Sequence, residues 1–170
     1  MTSISVERPT VAIEPEQGTF LGPMKQRKLE KVKDLITTQH LITAEPTETL
    51  DKVLTLLIEN GKRHLPILTK TGELVGIVSE RDLRMVTCSP DLDHVNLQHA
   101  MEQLSEKKVD SIMSKGVYTV DEDDSIVQAV KIMRVSKVGG LPVMRAQKVV
   151  GIVTHTDCLD HLIRILEPYN

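Results

Sequence analysis

The residues of this 170-residue chain best suited to chemistry come in two matched sets. Gly-Ile-Val-Ser-Glu-Arg-Asp at 76–82 returns as Gly-Ile-Val-Thr-His-Thr-Asp at 151–157, so a hydroxyl (Ser79, Thr154) stands three positions before a carboxylate (Asp82, Asp157). This spacing suits a capping box, in which hydroxyl and acid each take an amide at a helix start. It also suits a ligand. Each glycine lies in an apolar strand-like run and permits close approach by another group, and the helix start beyond it offers unpaired amides. An ionised carboxylate only accepts hydrogen bonds, which fits a vicinal diol such as the 2′ and 3′ hydroxyls of a ribose. The two uses are compatible.

The elements that must hold these residues also repeat. At an offset of 76, Asp-Leu-Ile at 34–36 matches Asp-Ser-Ile at 110–112, Leu-Ile-Thr-Ala at 41–44 matches Val-Tyr-Thr-Val at 117–120, and His-Leu-Pro-Ile at 64–67 matches Gly-Leu-Pro-Val at 140–143. One residue is lost at the following turn, where Thr-Lys-Thr-Gly-Glu shrinks to Arg-Ala-Gln-Lys. Repeats of this kind decide a fold. Leu50, Val53, Leu54, Leu57 and Ile58 recur at helical spacing, as do Ile126, Ala129, Val130 and Met133. Leu-Pro-Ile-Leu with Leu-Val-Gly-Ile-Val, and Leu-Pro-Val-Met with Val-Val-Gly-Ile-Val, read as strand hairpins. Each unit is therefore β-α-β-β-α. A three-stranded unit leaves a sheet face bare, so an α/β (α+β) pair packed about a pseudo-two-fold axis is expected. The boundaries read as a flexible tail at 1–28, a first repeat at 29–88, a linker with a short helix at 89–106, a second repeat at 107–166 and a C-terminal end at 167–170.

Composition narrows the function. A net charge of −3 gives no pull toward nucleic acid or an anionic membrane, and Phe20, Tyr118 and Tyr169 make no base-stacking platform. No apolar run nears the ~18 residues of a membrane span, and the start lacks a signal-peptide pattern. Cys88 and Cys158 stand far apart, forming neither a redox pair nor a zinc cluster, and read as structural thiols of a cytoplasmic protein. His155 and His161 flank Asp157 without the spacing of metal ligands on one helix face, and no metal site is expected. His94 and His99 read as surface residues of the linker. The acidic run at 121–124 lacks the features of a calcium loop and reads as helix-dipole complementarity. With no nucleophile elbow, P-loop or GxGxxG, the chain is not expected to be an enzyme.

The paired Gly-Ile-Val-Ser/Thr-x-x-Asp turns, the two Leu-Pro strands and the Asp-x-Ile leads resemble a tandem of CBS domains (after cystathionine β-synthase), a Bateman module, over roughly residues 30–166. The resemblance implies a regulatory, energy-sensing module that binds AMP, ADP, ATP or S-adenosylmethionine in clefts between the repeats and modulates a partner protein. It also implies a homodimer of modules in a flat disk. Each cleft of such modules is composite. One would combine Thr154 and Asp157 with Thr37, Ile42, Arg63, His64 and Leu65, with Arg81 reaching toward phosphate; the other, Ser79 and Asp82 with Met113, Tyr118, Gly139, Gly140 and Leu141.

The first repeat has Lys-Arg-His before its Leu-Pro where the second has Val-Gly-Gly, and Arg81 where the second has Thr156. The Asp157 cleft is accordingly expected to take the phosphate through Arg63, His64 and Arg81, leaving the Asp82 cleft empty or holding an adenosyl group of little charge. The plainer alternative makes Lys62, Arg63 and His64 a solvated cationic helix end. At the level of the whole protein, the alternative is a structural or adaptor dimerisation scaffold whose paired turns only cap helices.

Overall fold

The computed structural model of the chain describes residues 30–36, 41–87 and 97–166. The tail at 1–28, the first part of the linker and the end at 167–170 lie outside the described residues.

In the first repeat, α1 (Leu50–Glu59) leads to β1 (His64–Leu68), β2 (Leu74–Ser79) and α2 (Glu80–Thr87); α3 (Leu97–Glu106) follows. The second comprises β3 (Val120–Asp121), α4 (Ile126–Ser136), β4 (Gly140–Arg145), β5 (Lys148–Thr154) and α5 (His155–Leu166). The apolar spacing explains the helices. Leu50, Val53 and Leu57 form the buried face of α1, and Ala129, Ile132 and Met133 that of α4. β1 and β2 pair antiparallel, as do β4 and β5, while β3 lies parallel to β4. The fold is α+β.

Both expected first strands are abbreviated. In the first repeat only Ala44 bridges, to Ile67; in the second, the strand is Val120–Asp121. Pro46 has no amide to continue the first ladder, and the Asp121 amide is taken at 2.8 Å by the Asp124 carboxylate, which turns the chain.

Neither repeat closes its own core. Val32, fully buried, packs with Leu35 and Ile36 into the core formed by Val120, Met133, Leu141 and Val153 of the second repeat. Val109, also fully buried, packs with Ile112 and Met113 into the first, beside Leu50, Leu65, Ile67 and Val78. The leads are exchanged. Burying a side chain of this kind contributes about 1.5–3 kcal/mol, so the exchange welds the halves.

The glycines of the repeated turns serve this exchange. A Cβ on Gly76 would lie 2.5 Å from Met113 Sδ, and one on Gly151 3.1 Å from Ile36 Cδ1. Each glycine also sits beside a register shift, opposite Ile67 in β1 and Val143 in β4, as bulges in strands often do.

The acidic run 121–124 has a different task from the one its sequence suggests. Ser125 caps α4, accepting the Gln128 amide at 3.1 Å, and the first turn of α4 contains no acid. The run instead docks the first lead. Val32 and Lys33 donate their amides to the carbonyls of Asp124 and Glu122, both at 2.9 Å, and the ammonium groups of Lys31 and Lys33 reach Asp123 at 2.7 and 2.8 Å. These two lysines depress the Asp123 carboxyl from its usual 3.8 to about 2. Arg145 forks onto Glu122.

Candidate functional site

Both turns form complete capping boxes. The Ser79 amide and hydroxyl donate to Asp82 Oδ2, each at 2.7 Å, and the Asp82 amide returns a bond to Ser79 Oγ at 3.3 Å. Thr154 and Asp157 repeat this at 2.7, 2.6 and 3.3 Å. One oxygen of each carboxylate is thereby committed. Among the described residues Oδ1 of each has no protein hydrogen bond, so it is free to accept from a diol.

Two clefts open beside these boxes. One, of about 790 Å³, is lined by Ser79, Asp82, Tyr118, Gly139, Gly140 and Leu141. The other, of about 490 Å³, is lined by Ile42, Arg63, His64, Thr154 and Asp157. Both volumes fall within the roughly 300–1,000 Å³ usual for small-molecule sites. Each cleft draws its hydroxyl and acid from one repeat and its opposite wall from the other.

Three of the residues singled out in the sequence lie elsewhere, and a fourth is outside the described residues. Arg81 follows Ser79 on α2 and lines the Asp82 cleft, because a side chain two residues after the cap stays on its own helix end. Leu65 is fully buried in the first core. Met113 is held beneath Gly76 and against the same core, outside both cleft linings. Thr37 lies outside the described residues.

The cationic wall also departs from expectation. Arg63 and His64 line both clefts, and so do Gly139 and His155. The His64 ring lies over the glycines of the second repeat: a Cβ on Gly139 would stand 3.1 Å from Nε2, and one on Gly140 3.2 Å from Nδ1. His64 Nδ1 is buried and has no hydrogen-bond partner among the described residues. Burial lowers the pKa of this imidazole from 6.5; His155 and Arg63 add to the effect, and Asp82 opposes it. His64 is therefore neutral near pH 7, able to donate one hydrogen bond and accept another.

Lys115 and Lys137 join Arg63 and Arg81 around the Asp82 cleft, whereas the Asp157 cleft has Lys62 and Arg63. Glu80, also in the Asp82 cleft, is paired with Arg84. The larger cationic array thus surrounds Asp82, the reverse of what the Lys-Arg-His segment suggested. Sequence reasoning missed Lys115 and Lys137. A signal for Lys137 was present: it matches Gly61 at the end of the preceding helix, and both adopt the left-handed conformation, with φ of 55° and 58°. A lysine where glycine fits better costs roughly 1–2 kcal/mol.

His161 on α5 pairs with Glu30, and Cys158 is half-buried, its thiol pKa raised by burial and by the Asp157 charge. Among the described residues there is no cluster of three potential metal ligands, and no described helix is long and apolar enough to cross a membrane.

Two β-α-β-β-α halves with exchanged leads and composite clefts define a tandem-repeat module with paired ligand-sized sites. The CBS domain model matches twice, at residues 32–89 and 109–164, and the chain belongs to the CBS domain family. A CBS domain-containing protein of Dictyostelium discoideum is 41% identical over 138 residues, which span 81% of this chain and 94% of that one. Several other curated relatives are longer, and the chain spans 56%, 29% and 61% of three of them. Among solved structures, CBSX2 in complex with AMP aligns with a TM-score of 0.66 at 27% identity, covering 79% of this chain and 97% of that one. The CBS domain pair of protein MJ0100, in complex with 5′-methylthioadenosine and S-adenosyl-L-methionine, aligns with a TM-score of 0.64 at 27% identity and the same coverage.

Proposed function

We propose that this chain is a regulatory module that binds an adenine nucleotide or other adenosyl compound between its two repeats and thereby modulates a partner protein. The observation that carries this reading is the repeated pairing of a half-engaged carboxylate with a composite cleft. In each, Oδ1 of Asp82 or Asp157, which has no protein hydrogen bond among the described residues, would accept the ribose hydroxyls. The Tyr118 ring or the Ile42 side chain offers an apolar surface for adenine. AMP, S-adenosyl-L-methionine and 5′-methylthioadenosine bound to similar domain pairs support the ligand class. We assign phosphate to the Asp82 cleft, where Arg63, Arg81, Lys115 and Lys137 converge.

Signalling requires the ligand to favour one arrangement of the module over another; such coupling is typically ~1–3 kcal/mol. The exchanged leads provide a route, since a change in the angle between halves must strain Met113 against Gly76 and Ile36 against Gly151. The module is also inferred to pair with a second copy through α5. This amphipathic helix has no buried residue, and Leu159, Leu162, Ile163 and Leu166 are each about half exposed. Light scattering on a sizing column should give twice the chain mass, and Ile163→Glu should give one.

Thermal unfolding with AMP, ADP, ATP, S-adenosylmethionine and adenosine tests the ligand reading. A ligand at ~100 times its dissociation constant stabilises by about 2.7 kcal/mol, or roughly 5–10 °C here. Asp82→Ala should reduce the shift with the phosphorylated ligands, leaving the part due to the Asp157 cleft. Absence of any shift in ligand-free protein would favour the scaffold reading, in which the capping boxes are the whole role of the paired acids.

A further inference from the structure

We propose that the two clefts bind phosphorylated ligands antagonistically, because one set of donors, Arg63 and His64, forms a wall common to both. The inference rests on the functional reading above and concerns how its two sites communicate.

A faithful duplication would give each cleft its own polar triplet before Leu-Pro. Here the matched positions are Lys62, Arg63 and His64 in one repeat and Val138, Gly139 and Gly140 in the other. The substitution is reciprocal in space. The second repeat has no side chain at Gly139 and Gly140, and the His64 ring lies over those glycines, within 3.1–3.2 Å of where their Cβ atoms would be. The first repeat's donors consequently border the Asp82 cleft as well as their own.

One guanidinium can fork onto only one phosphate at a time. A phosphorylated ligand in the Asp82 cleft would draw Arg63 toward Arg81, Lys115 and Lys137, leaving the Asp157 cleft with Lys62 and a negative charge across a thin wall. His64 adds to the effect: the neutral ring has one N–H, so turning it to donate into one cleft removes it from the other. Uncharged adenosyl ligands need neither residue. The module would thus hold one phosphorylated nucleotide at high affinity, with a second cleft open to a neutral adenosyl group.

The test is calorimetric titration of the full chain with ATP, then with adenosine. The expected result is one tight ATP per chain, a second at least tenfold weaker, and adenosine binding to ATP-loaded protein as well as to free protein. Arg63→Ala, at an exposed position, should weaken the tight site about tenfold and bring the two ATP affinities close together; His64→Gln should narrow the gap less. Two equal, independent ATP sites in the wild-type chain would overturn the proposal, as would Arg63→Ala leaving the ratio of the two affinities unchanged. Failure of every adenosyl compound to bind would remove the functional reading, and this inference with it.

Discussion

The Asp82 and Asp157 clefts begin from the same capped turn and diverge at several matched positions. Tyr118 faces one where Ile42 faces the other, Arg81 stands where the second repeat has Thr156, Lys137 where the first has Gly61, and Gly139–Gly140 where the first has Arg63–His64. The capping boxes, by contrast, agree to within 0.1 Å in every bond. Duplication has kept the device that positions the acid and varied the residues around it. The comparison separates the residues that set the frame from those that vary the lining of the two clefts.

The severest way to break the comparison is to fill the space shared by the two sites. Gly140→Val should drive a branched side chain into the His64 ring, since even a Cβ at this position would stand only 3.2 Å from it. Overpacking of this kind costs about 1–3 kcal/mol, and urea unfolding should register that loss. Because the wall is common, ligand affinity should fall in both clefts. A loss confined to one cleft would mean that the wall is not shared.

Exchanging single residues between the repeats sharpens the contrast. Arg81→Thr gives the first motif the residue of the second. Affinity for ADP and ATP should fall about tenfold, equivalent to about 1.4 kcal/mol, while adenosine binding and stability stay near wild type because Arg81 is exposed. Lys137→Gly should separate binding from folding further. Glycine removes the left-handed strain of a residue at φ 55° and should raise unfolding free energy by about 1 kcal/mol, yet triphosphate affinity should drop several-fold. Such opposed changes, read by denaturation and calorimetry on one variant, are the mark of backbone strain retained for function.

The repeat itself explains how much was legible in advance. Periodicity identified the helices and hairpins because Leu50, Val53 and Leu57, or Leu65 and Ile67, have only one face to bury. The box of Ser79 with Asp82 was legible because it is local in sequence. What could not be read was which lead enters which core: Val32 and Val109 carry the same apolar signal whether they pack at home or across. Which cleft Arg81 lines was illegible for a related reason, since a residue type suited to phosphate says nothing of which side of a helix start it occupies. The acidic run misled as well, its partners Lys31 and Lys33 lying about 90 residues away.

The smallest expected effect distinguishes the two leads. The first is held partly by charge, through Lys31 and Lys33 on Asp123. Among the described residues, the second is held at the matching place by main-chain bonds, from the Val109 and Asp110 amides to the carbonyls of Glu48 and Pro46 at 2.9 and 3.0 Å, while the Glu48 carboxylate turns to Lys52. Asp123 has a folded pKa of about 2 against 3.8 ordinarily. The unfolded chain therefore binds the proton first as pH falls, and the stabilisation, complete above about pH 4, is lost progressively toward pH 2. Since the groups are exposed, the effect on global stability should be slight and salt-sensitive. Hydrogen exchange should resolve it: corrected for intrinsic rates, the Val32 and Lys33 amides should lose protection between about pH 4 and 2 while those of Val109 and Asp110 keep theirs. Asp123→Asn should flatten the first profile and leave the second unchanged. Equal loss at both leads would mean that acid loosens the whole junction between the halves, and that the charge on Asp123 is not what holds the first lead in place.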